Sequence, residues 1–214
     1  DDAARAFQQG VRLALQGANV TPGSHNDKRL RHIIETYPRD ELFQLPESEL
    51  LEQAMGILHL IDRPRLKLFV RKDPFDRFIS VLLYVPRDRY DSGVRERAGK
   101  LIAEAYNGRV SAYYPSFSDA PLARVHYIIG VTPGGHEEPD LAELEAAIAE
   151  TARTWGDRFE AAVRASGLPT TPALTRWAGA FSGGYRDFYA ADEALADLQE
   201  VDAMGDQTFR VRAF

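Results

Sequence analysis

The sequence predicts an α+β fold built on a four-stranded antiparallel sheet with helices on one face. Alternating apolar and polar residues form two hairpin patterns, and each hairpin is followed by a helical pattern. The resulting order between residues 66 and 166 is ββαββα. Helical spacing dominates before and after this block, which predicts helical connectors at both ends. Strands and helices arranged in this way are typical of a sheet with helices packed against it.

This pattern divides the chain into three predicted parts. Residues 1–45 form a helical N-terminal connector, residues 46–166 form the α+β domain, and residues 167–214 form a helical C-terminal connector that runs into a further domain. The last ten residues, GDQTFRVRAF, return to strand-like alternation and predict the first strand of that further domain. The chain opens with DDAARAF, so we expect it to be a segment cut from a longer protein.

Helical patterns precede the first strand and separate the hairpins. Asp27 can cap the first of them, and Pro46 stands at a first-turn position where proline is tolerated. A further helix begins after Asp91 or Ser92, and Pro139 opens a long helix that runs to the end of the α+β domain. The apolar positions of the helices include Leu30, Ile33, Ile34, Leu50, Ala54, Ile57, Ile61, Val94, Ala98, Ile102, Leu144, Ile148, Trp155 and Phe159.

The four strands follow from residues that alternate between a buried and an exposed side. KDPFD at 72–76 supplies the turn of the first hairpin, because Asp and Pro favour a tight reversal. The Asn107-Gly108 pair ends the helix between the hairpins with a left-handed turn. The apolar positions of the four strands are Leu66, Leu68, Val70, Ile79, Val81, Leu83, Val85, Val110, Ala112, Tyr114, Val125, Tyr127, Ile129 and Val131.

The order of the elements is a circular permutation of βαββαβ, which is the ferredoxin-like arrangement. One face of such a sheet packs against the two helices, and the other face carries a second apolar set. This set is too apolar to face water, so we expect the helix at 47–61 or another chain segment to cover it. Its members are Phe69, Phe78, Leu82, Tyr84, Tyr113 and Ile128.

Composition argues against several functions. The chain of 214 residues has a formal net charge of −6, which disfavours general nucleic-acid binding. It contains no cysteine, so it has no disulfide, thiolate metal ligand or cysteine nucleophile, and this composition fits a reducing cytoplasm. No apolar run reaches membrane-spanning length, and the chain shows no signal-peptide pattern.

Catalytic and cofactor motifs are missing as well. The sequence lacks GxGxxG and GxxxxGK[ST], so no backbone cradle for a nucleotide phosphate is predicted. It also lacks GxSxG, and its five histidines show no HxH, HxxxH or HExxH spacing. We therefore predict no catalytic, cofactor-binding or metal-binding residue in this chain.

The most informative charged stretch is FVRKDPFDRFISVLLYVPRDRY at 69–90, where charged residues surround a strand pair. Two interpretations are open. In one, guanidinium groups at the turn and the exits of the hairpin grip an anionic effector. In the other, which we favour, the arginines pair with Asp73, Asp76 and Asp88 and dock against neighbouring domains. The candidate interface or effector residues are Arg71, Arg77, Arg87, Arg89 and Tyr84.

Three stretches resemble a known family. They are TYPRDELFQ at 36–44, LKLFVRKDPFDRFISVLLYVPRDRY at 66–90 and GYRDFYAADEALADL at 184–198. They are similar to the N-terminal regulatory region of the very large bacterial NAD-specific glutamate dehydrogenases. In that family several ACT-like domains precede a helical region and the dehydrogenase domain. The resemblance runs from about residue 27 to the end of the chain.

The resemblance implies an ACT-like fold and a parent enzyme that oxidatively deaminates L-glutamate to 2-oxoglutarate and ammonium while NAD is reduced. The family's catalytic lysine and aspartate and its nucleotide fold lie in a later domain. No catalytic role is therefore carried over to this chain, and NAD is expected in the parent but not in this segment. The implied role is noncatalytic regulation and assembly, with the sensing of an amino acid or another anion as the alternative.

The resemblance also implies partners and a location. The expected partners are other domains of the same polypeptide, further copies of the parent in a homo-oligomer, and a small-molecule effector. Nucleic acid and membrane are not expected. The implied location is the cytoplasm.

Overall fold

The computed structural model describes residue 21 and residues 23–167 and 179–204. The chain forms two compact units that divide between Thr151 and Ala152. The strand predicted at 205–214 lies outside the described residues. In chain order, the elements are α1 (His25–Glu35), α2 (Arg39–Leu42), α3 (Glu47–Asp62), β1 (Lys67–Lys72), β2 (Phe78–Pro86), a 3-10 turn (Arg87–Arg89), α4 (Ser92–Ala105), β3 (Arg109–Phe117), β4 (Leu122–Gly130), α5 (Leu141–Thr151), α6 (Trp155–Ala165), α7 (Gly183–Phe188) and α8 (Ala191–Met204).

The four strands form an antiparallel sheet in the spatial order β1-β2-β4-β3. The predicted α+β fold with a four-stranded antiparallel sheet and the ββαββα chain order is therefore confirmed. Because β2 and β4 are the central strands, their side chains are buried on both faces of the sheet. β1 and β3 are the edges, and almost every residue of β3 is exposed or half-buried.

The first face of the sheet packs against α4 and α5. Ile79, Val81 and Leu83 from β2 are fully buried there, together with apolar residues of β4. Ile102 from α4 and Ile148 from α5 close this core from the helical side. A fully buried aliphatic side chain stabilises the fold by about 1.5–3 kcal/mol, so this layer supplies much of the driving force for folding.

The second face of the sheet is covered by α1 and α3, as the sequence predicts for the helix at 47–61. Leu82 and Tyr84 lie in a buried cluster with apolar residues of both helices, and Phe69 packs against it. Gly56 makes this approach possible, because a Cβ atom at that position would lie 2.9 Å from the Phe69 ring. Three members of the predicted apolar set, Phe69, Leu82 and Tyr84, are thus covered within the first unit, whereas Phe78 and Ile128 stay half-buried.

Tyr113 does not lie on this second face, so its predicted position is wrong. The pairing of β3 with β4 shifts by one residue between Val110 and Ala112, which marks a bulge. Tyr113 therefore pairs with Tyr127 and lies on the first face, where the Arg95 guanidinium carbon is 4.5 Å from its ring centroid. One extra residue in a strand moves every later side chain to the opposite face.

The long helix predicted after Pro139 is two helices, α5 and α6. Thr154 caps the second of them, since its hydroxyl accepts a hydrogen bond from the Asp157 amide at 3.1 Å. The Asp157 carboxylate in turn accepts a hydrogen bond from the Thr154 amide at 2.9 Å, which completes a capping box. In the second unit, α6 and α8 bury Phe159, Val163 and other apolar residues in a separate core.

Candidate functional site

Arg71 lies in β1 and is buried, with 8% of its surface exposed. Its Nε donates to Glu41 Oε2 at 2.6 Å and its Nη2 donates to Glu41 Oε1 at 2.7 Å. This is the two-point geometry in which a guanidinium and a carboxylate bind most strongly. Glu41 belongs to α2, which lies 30 residues earlier in the chain, so Arg71 joins the helical segment to the sheet.

Two polar residues of the sheet extend this pair. Ser80 Oγ and His126 Nε2 share a hydrogen bond at 2.8 Å, and His126 Nε2 lies 3.6 Å from Glu41 Oε1. Burial alone would raise the pKa of Glu41, but hydrogen bonds from Arg71, His126 and Ser80 outweigh it and hold that pKa at about 2. We call these four residues, Glu41, Arg71, Ser80 and His126, the polar cluster.

Arg77 makes a similar bond to a buried carboxylate, although its own side chain is exposed. Its Nε and Nη2 donate to the two carboxylate oxygens of Asp73 at 2.8 and 3.0 Å, while 62% of the Arg77 side chain is exposed. The Arg77 hydrogen bonds lower the pKa of Asp73 to about 2. The predicted pairing of an arginine with Asp73 is thus observed for Arg77, and it closes the β1–β2 turn.

The same turn is fastened to the loop after β4. Asp76 adopts a left-handed backbone conformation with φ of 57°, which Asp tolerates better than most residues. The Asp76 carboxylate accepts a hydrogen bond from the Gly134 amide at 2.5 Å, and it lies 3.0 Å from His136 Nδ1. Phe75 therefore stands on a fixed turn with 73% of its surface exposed.

Arg87 and Arg89 lie at the opposite end of β2, which spans about 27 Å for its nine residues. Both are exposed, and Arg87 Nη1 donates to the Ser118 carbonyl at 2.9 Å. The arginines at the turn and the exits of the hairpin therefore do not form one fork. Tyr84 is buried against Phe69, and this burial raises its pKa.

A cleft of about 430 Å³ opens beside the polar cluster on the second face of the sheet. Arg71 and His126 line it, and Arg124 contributes a second guanidinium whose Nη1 donates to the Thr36 carbonyl at 2.8 Å. Sequence analysis missed Glu41, Arg124, His126 and Ser80 as site residues. Arg124 and His126 are polar residues at alternating positions of the apolar strand β4, on the second face of the sheet, and this pattern was the available signal.

The described residues contain no group of three or more histidine and acidic side chains that could hold a metal ion. Within the same residues, none of the helices is long and apolar enough to cross a bilayer.

Sheet order and helix placement define the first unit as an ACT-like α+β domain with a helical segment packed on it. Family comparison gives three consecutive matches. They are "Glutamate dehydrogenase, helical motif 1" at residues 8–63, "Glutamate dehydrogenase, ACT2 domain" at 67–156 and "Glutamate dehydrogenase, helical motif 2" at 169–204.

Similar full-length proteins carry the name NAD-specific glutamate dehydrogenase. The protein of Halomonas elongata is 34% identical over 197 residues, and that of Pseudomonas aeruginosa is 33% identical over 193. These alignments cover 91% and 89% of this chain but 12% of each relative. The Mycobacterium tuberculosis protein is 30% identical over 213 residues, which is 94% of this chain and 13% of the relative. The chain belongs to the NAD-specific glutamate dehydrogenase family, as an N-terminal segment of ACT2 and helical-motif type.

The matched ranges give the polar cluster a place in this organisation. The first match ends at residue 63 and the second begins at residue 67, so the boundary falls between α3 and β1. The Arg71–Glu41 pair and the bond from Arg124 to the Thr36 carbonyl both cross that boundary. The domain boundaries that the sequence predicts, between residues 45 and 46 and between residues 166 and 167, stay predictions.

Proposed function

We propose that this chain is a noncatalytic regulatory and assembly segment of a large NAD-specific glutamate dehydrogenase. The parent reaction would be the oxidative deamination of L-glutamate to 2-oxoglutarate and ammonium, with NAD reduced in a later domain. The proposal includes the cytoplasmic location that the family resemblance implies. It is supported by the names of the relatives and by a sequence without a nucleotide-binding or nucleophile motif.

The bidentate Arg71–Glu41 pair is the observation that carries the assembly role. A buried ion pair is weak support for stability, because desolvation of both charges offsets their attraction. The geometry of the pair is restrictive, however, because a guanidinium can donate two hydrogen bonds to one carboxylate only in a narrow range of relative positions. We infer that the pair sets the position of the helical segment on the ACT-like sheet, so that the segment presents one defined surface to other domains.

Association with other domains or with a second copy of the parent is supported by the edge strand β3. Tyr113 and Phe117, on the first face of the sheet, are 45% and 53% exposed, and Tyr114, on the second face, is 59% exposed, so aromatic area along this edge contacts water. Pro115 lacks an amide donor, so main-chain pairing along this edge is interrupted and side chains would dominate the contact. This surface fits a homo-oligomer of the parent.

Two measurements test the proposal. The 214-residue chain, incubated with L-glutamate and NAD, should give no NADH absorbance above the blank, and turnover would contradict the noncatalytic assignment.

In the parent enzyme, Phe117→Glu should lower the mass measured by light scattering, whereas exchange of the exposed Glu96 for Gln should leave it unchanged. An unchanged mass for the Phe117 variant would remove β3 from the assembly surface.

Effector sensing is the second candidate function. It is favoured by the cleft beside the polar cluster, because two arginines line it and part of their donor capacity is unused. An effector regulates only if its affinity differs between two states of the parent. Steady-state kinetics of the parent with and without a cleft ligand would separate sensing from a purely architectural role.

A further inference from the structure

The Arg71 guanidinium has donors that its carboxylate partner does not use. Glu41 accepts from Nε and Nη2, while Nη1 is buried and has no hydrogen-bond acceptor among the described residues. Buried N–H groups in native structures are nearly always paired, so an unpaired one calls for a physical explanation. An acceptor supplied from outside the chain would provide it.

A second arginine of the cleft, Arg124, also has a buried donor for which the described residues supply no acceptor. Arg124 Nε is also buried and lacks an acceptor in the described part of the chain, although Nη1 of this guanidinium is fixed to the Thr36 carbonyl. Both Arg71 and Arg124 line the cleft. Two guanidinium groups that line the cleft therefore each keep one donor without an acceptor among the residues that the structure describes, and other bonds hold both groups in place, which favours recognition of a carboxylate.

The charge and the lining of the cleft select the class of ligand. Its charged side chains are Arg71, Arg124, Asp40 and Glu41, two of each sign, so a multiply charged anion gains little from the local field. Much of the remaining wall is apolar, so a ligand with an organic body can bury surface there. The apolar lining residues are Pro38, Phe78, Tyr114, Pro115 and Ile128.

We propose that the cleft binds a small organic monocarboxylate. Its carboxylate oxygens accept hydrogen bonds from Arg71 Nη1 and Arg124 Nε, and its apolar part lies against Phe78 and Tyr114. This proposal deepens the regulatory part of the proposed function and rests on it only for the effect on the parent enzyme. Binding to this chain is a separate property and is measured separately.

Access to Arg71 Nη1 requires a side-chain movement. The Phe78 ring is half-buried and its centroid lies 5.7 Å from the guanidinium carbon of Arg71, whereas Tyr114 is 59% exposed. Exposed side chains change rotamer within nanoseconds, so Tyr114 can adapt to a ligand in the cleft without disturbing the sheet. Glu41 keeps its two bonds to Arg71 while the ligand binds.

The test uses benzoate as the probe. Benzamide, which has a similar shape but no charge, serves as the control compound. The 214-residue chain is titrated with each compound, and binding is followed by the NMR signals of the arginine side-chain N–H groups and by the unfolding temperature. Benzoate should shift the Arg71 and Arg124 signals saturably and bind roughly ten- to a hundredfold more tightly than benzamide, because hydrogen bonds to charged groups are the stronger ones. Inorganic phosphate should bind more weakly than benzoate.

Two tryptophan variants on β3 supply the structural control. Ser116 lines the cleft, so Ser116→Trp should fill it and abolish the benzoate response. Ser111 lies on the same strand but lines a different depression, near Arg77 and Asn107, so Ser111→Trp should respond as the wild type does. Both substitutions leave Arg71 and Glu41 in place, which separates loss of binding from loss of folding.

Three results would overturn the site: equal affinity for benzoate and benzamide, tighter binding of phosphate than of benzoate, or a benzoate response that survives in Ser116→Trp. A fourth result concerns the parent alone. If benzoate binds the cleft but leaves the kinetics of the parent dehydrogenase unchanged, the site stands and its regulatory role is rejected. If the wild-type parent responds and the Ser116 variant does not, both are supported.

Discussion

Arg71 and Arg77 of the first hairpin make the same kind of bond to a buried carboxylate, but only the Arg71 guanidinium is itself buried. Each guanidinium holds a carboxylate through two hydrogen bonds of 2.6–3.0 Å. The side chain of Arg71 is 7% exposed and its partner is 30 residues away, whereas that of Arg77 is 62% exposed and its partner is four residues away. The same two-point geometry therefore does not imply the same contribution to stability, because that contribution also depends on how far each charge is removed from water.

The largest expected effect comes from breaking the buried pair on one side. Glu41→Ala leaves the Arg71 charge buried without a counterion, which should lower the free energy of unfolding by about 3–5 kcal/mol. Urea denaturation at neutral pH measures it. A loss of similar size after substitution of Asp40, an exposed neighbour in the same helix, would show that α2 is sensitive in general and that the pair is not special.

Acid should weaken the fold through Glu41. Its pKa is about 2 in the folded protein, against an ordinary value of 4.5, so its contribution is fully present above pH 4.5 and is lost as pH falls toward 2. Urea midpoints between pH 6 and pH 3 should therefore fall less steeply in Glu41→Gln than in the wild type. Asp73→Asn should flatten the same pH dependence, because Asp73 is also buried and hydrogen bonds from Arg77 lower its pKa to about 2.

Replacing both members of the buried pair should relieve most of the damage that removing one of them causes. Arg71→Met combined with Glu41→Leu should give a stability between that of the wild type and a gain of about 4 kcal/mol, because the desolvation of both charges disappears. The double-mutant cycle with the two single variants gives the coupling energy. Additive single effects would mean that the two side chains act independently.

The smallest expected effect comes from the pair whose guanidinium is exposed. Arg77→Ala should lower the free energy of unfolding by about 1 kcal/mol or less, because the Arg77 side chain lies in water and the buried Asp73 carboxylate keeps its hydrogen bond from the residue-77 amide. Light scattering on the parent with Arg77→Glu then tests the docking role that we predict for this residue. A reduced mass without a stability change would assign Arg77 to an interdomain contact, and an unchanged mass would reject that role.

The strands were predictable because their patterns are local. Alternation located all four strands, and the pairing of Arg77 with Asp73 follows from their close spacing. The bulge at Ser111 was not predictable, since no glycine marks it and the residues on both sides of it continue the strand. The break between α5 and α6 was missed because Thr154 and Asp157 also suit the interior of a polar helix face.

The candidate site was far less predictable than the fold. Arg71 was recognised from its charge, but its partner depends on how α2 packs on the sheet, and no spacing rule connects Glu41 to β1. His126 and Arg124 carried a weak signal, because two polar side chains alternate within an otherwise buried strand. Contacts of this kind follow from tertiary packing, so a single sequence reveals the participants more readily than their arrangement.

The buried Arg71–Glu41 bond has a consequence for how such an enzyme could respond to the cell. An arginine stays protonated at every physiological pH, and a carboxyl group with a pKa of about 2 stays ionised. The two-point bond between Arg71 and Glu41 therefore keeps both of its charges near neutral pH. A signal that weakens or strengthens this bond through Arg71 or Glu41 has to come from a bound molecule or a neighbouring surface and not from the titration of these two groups.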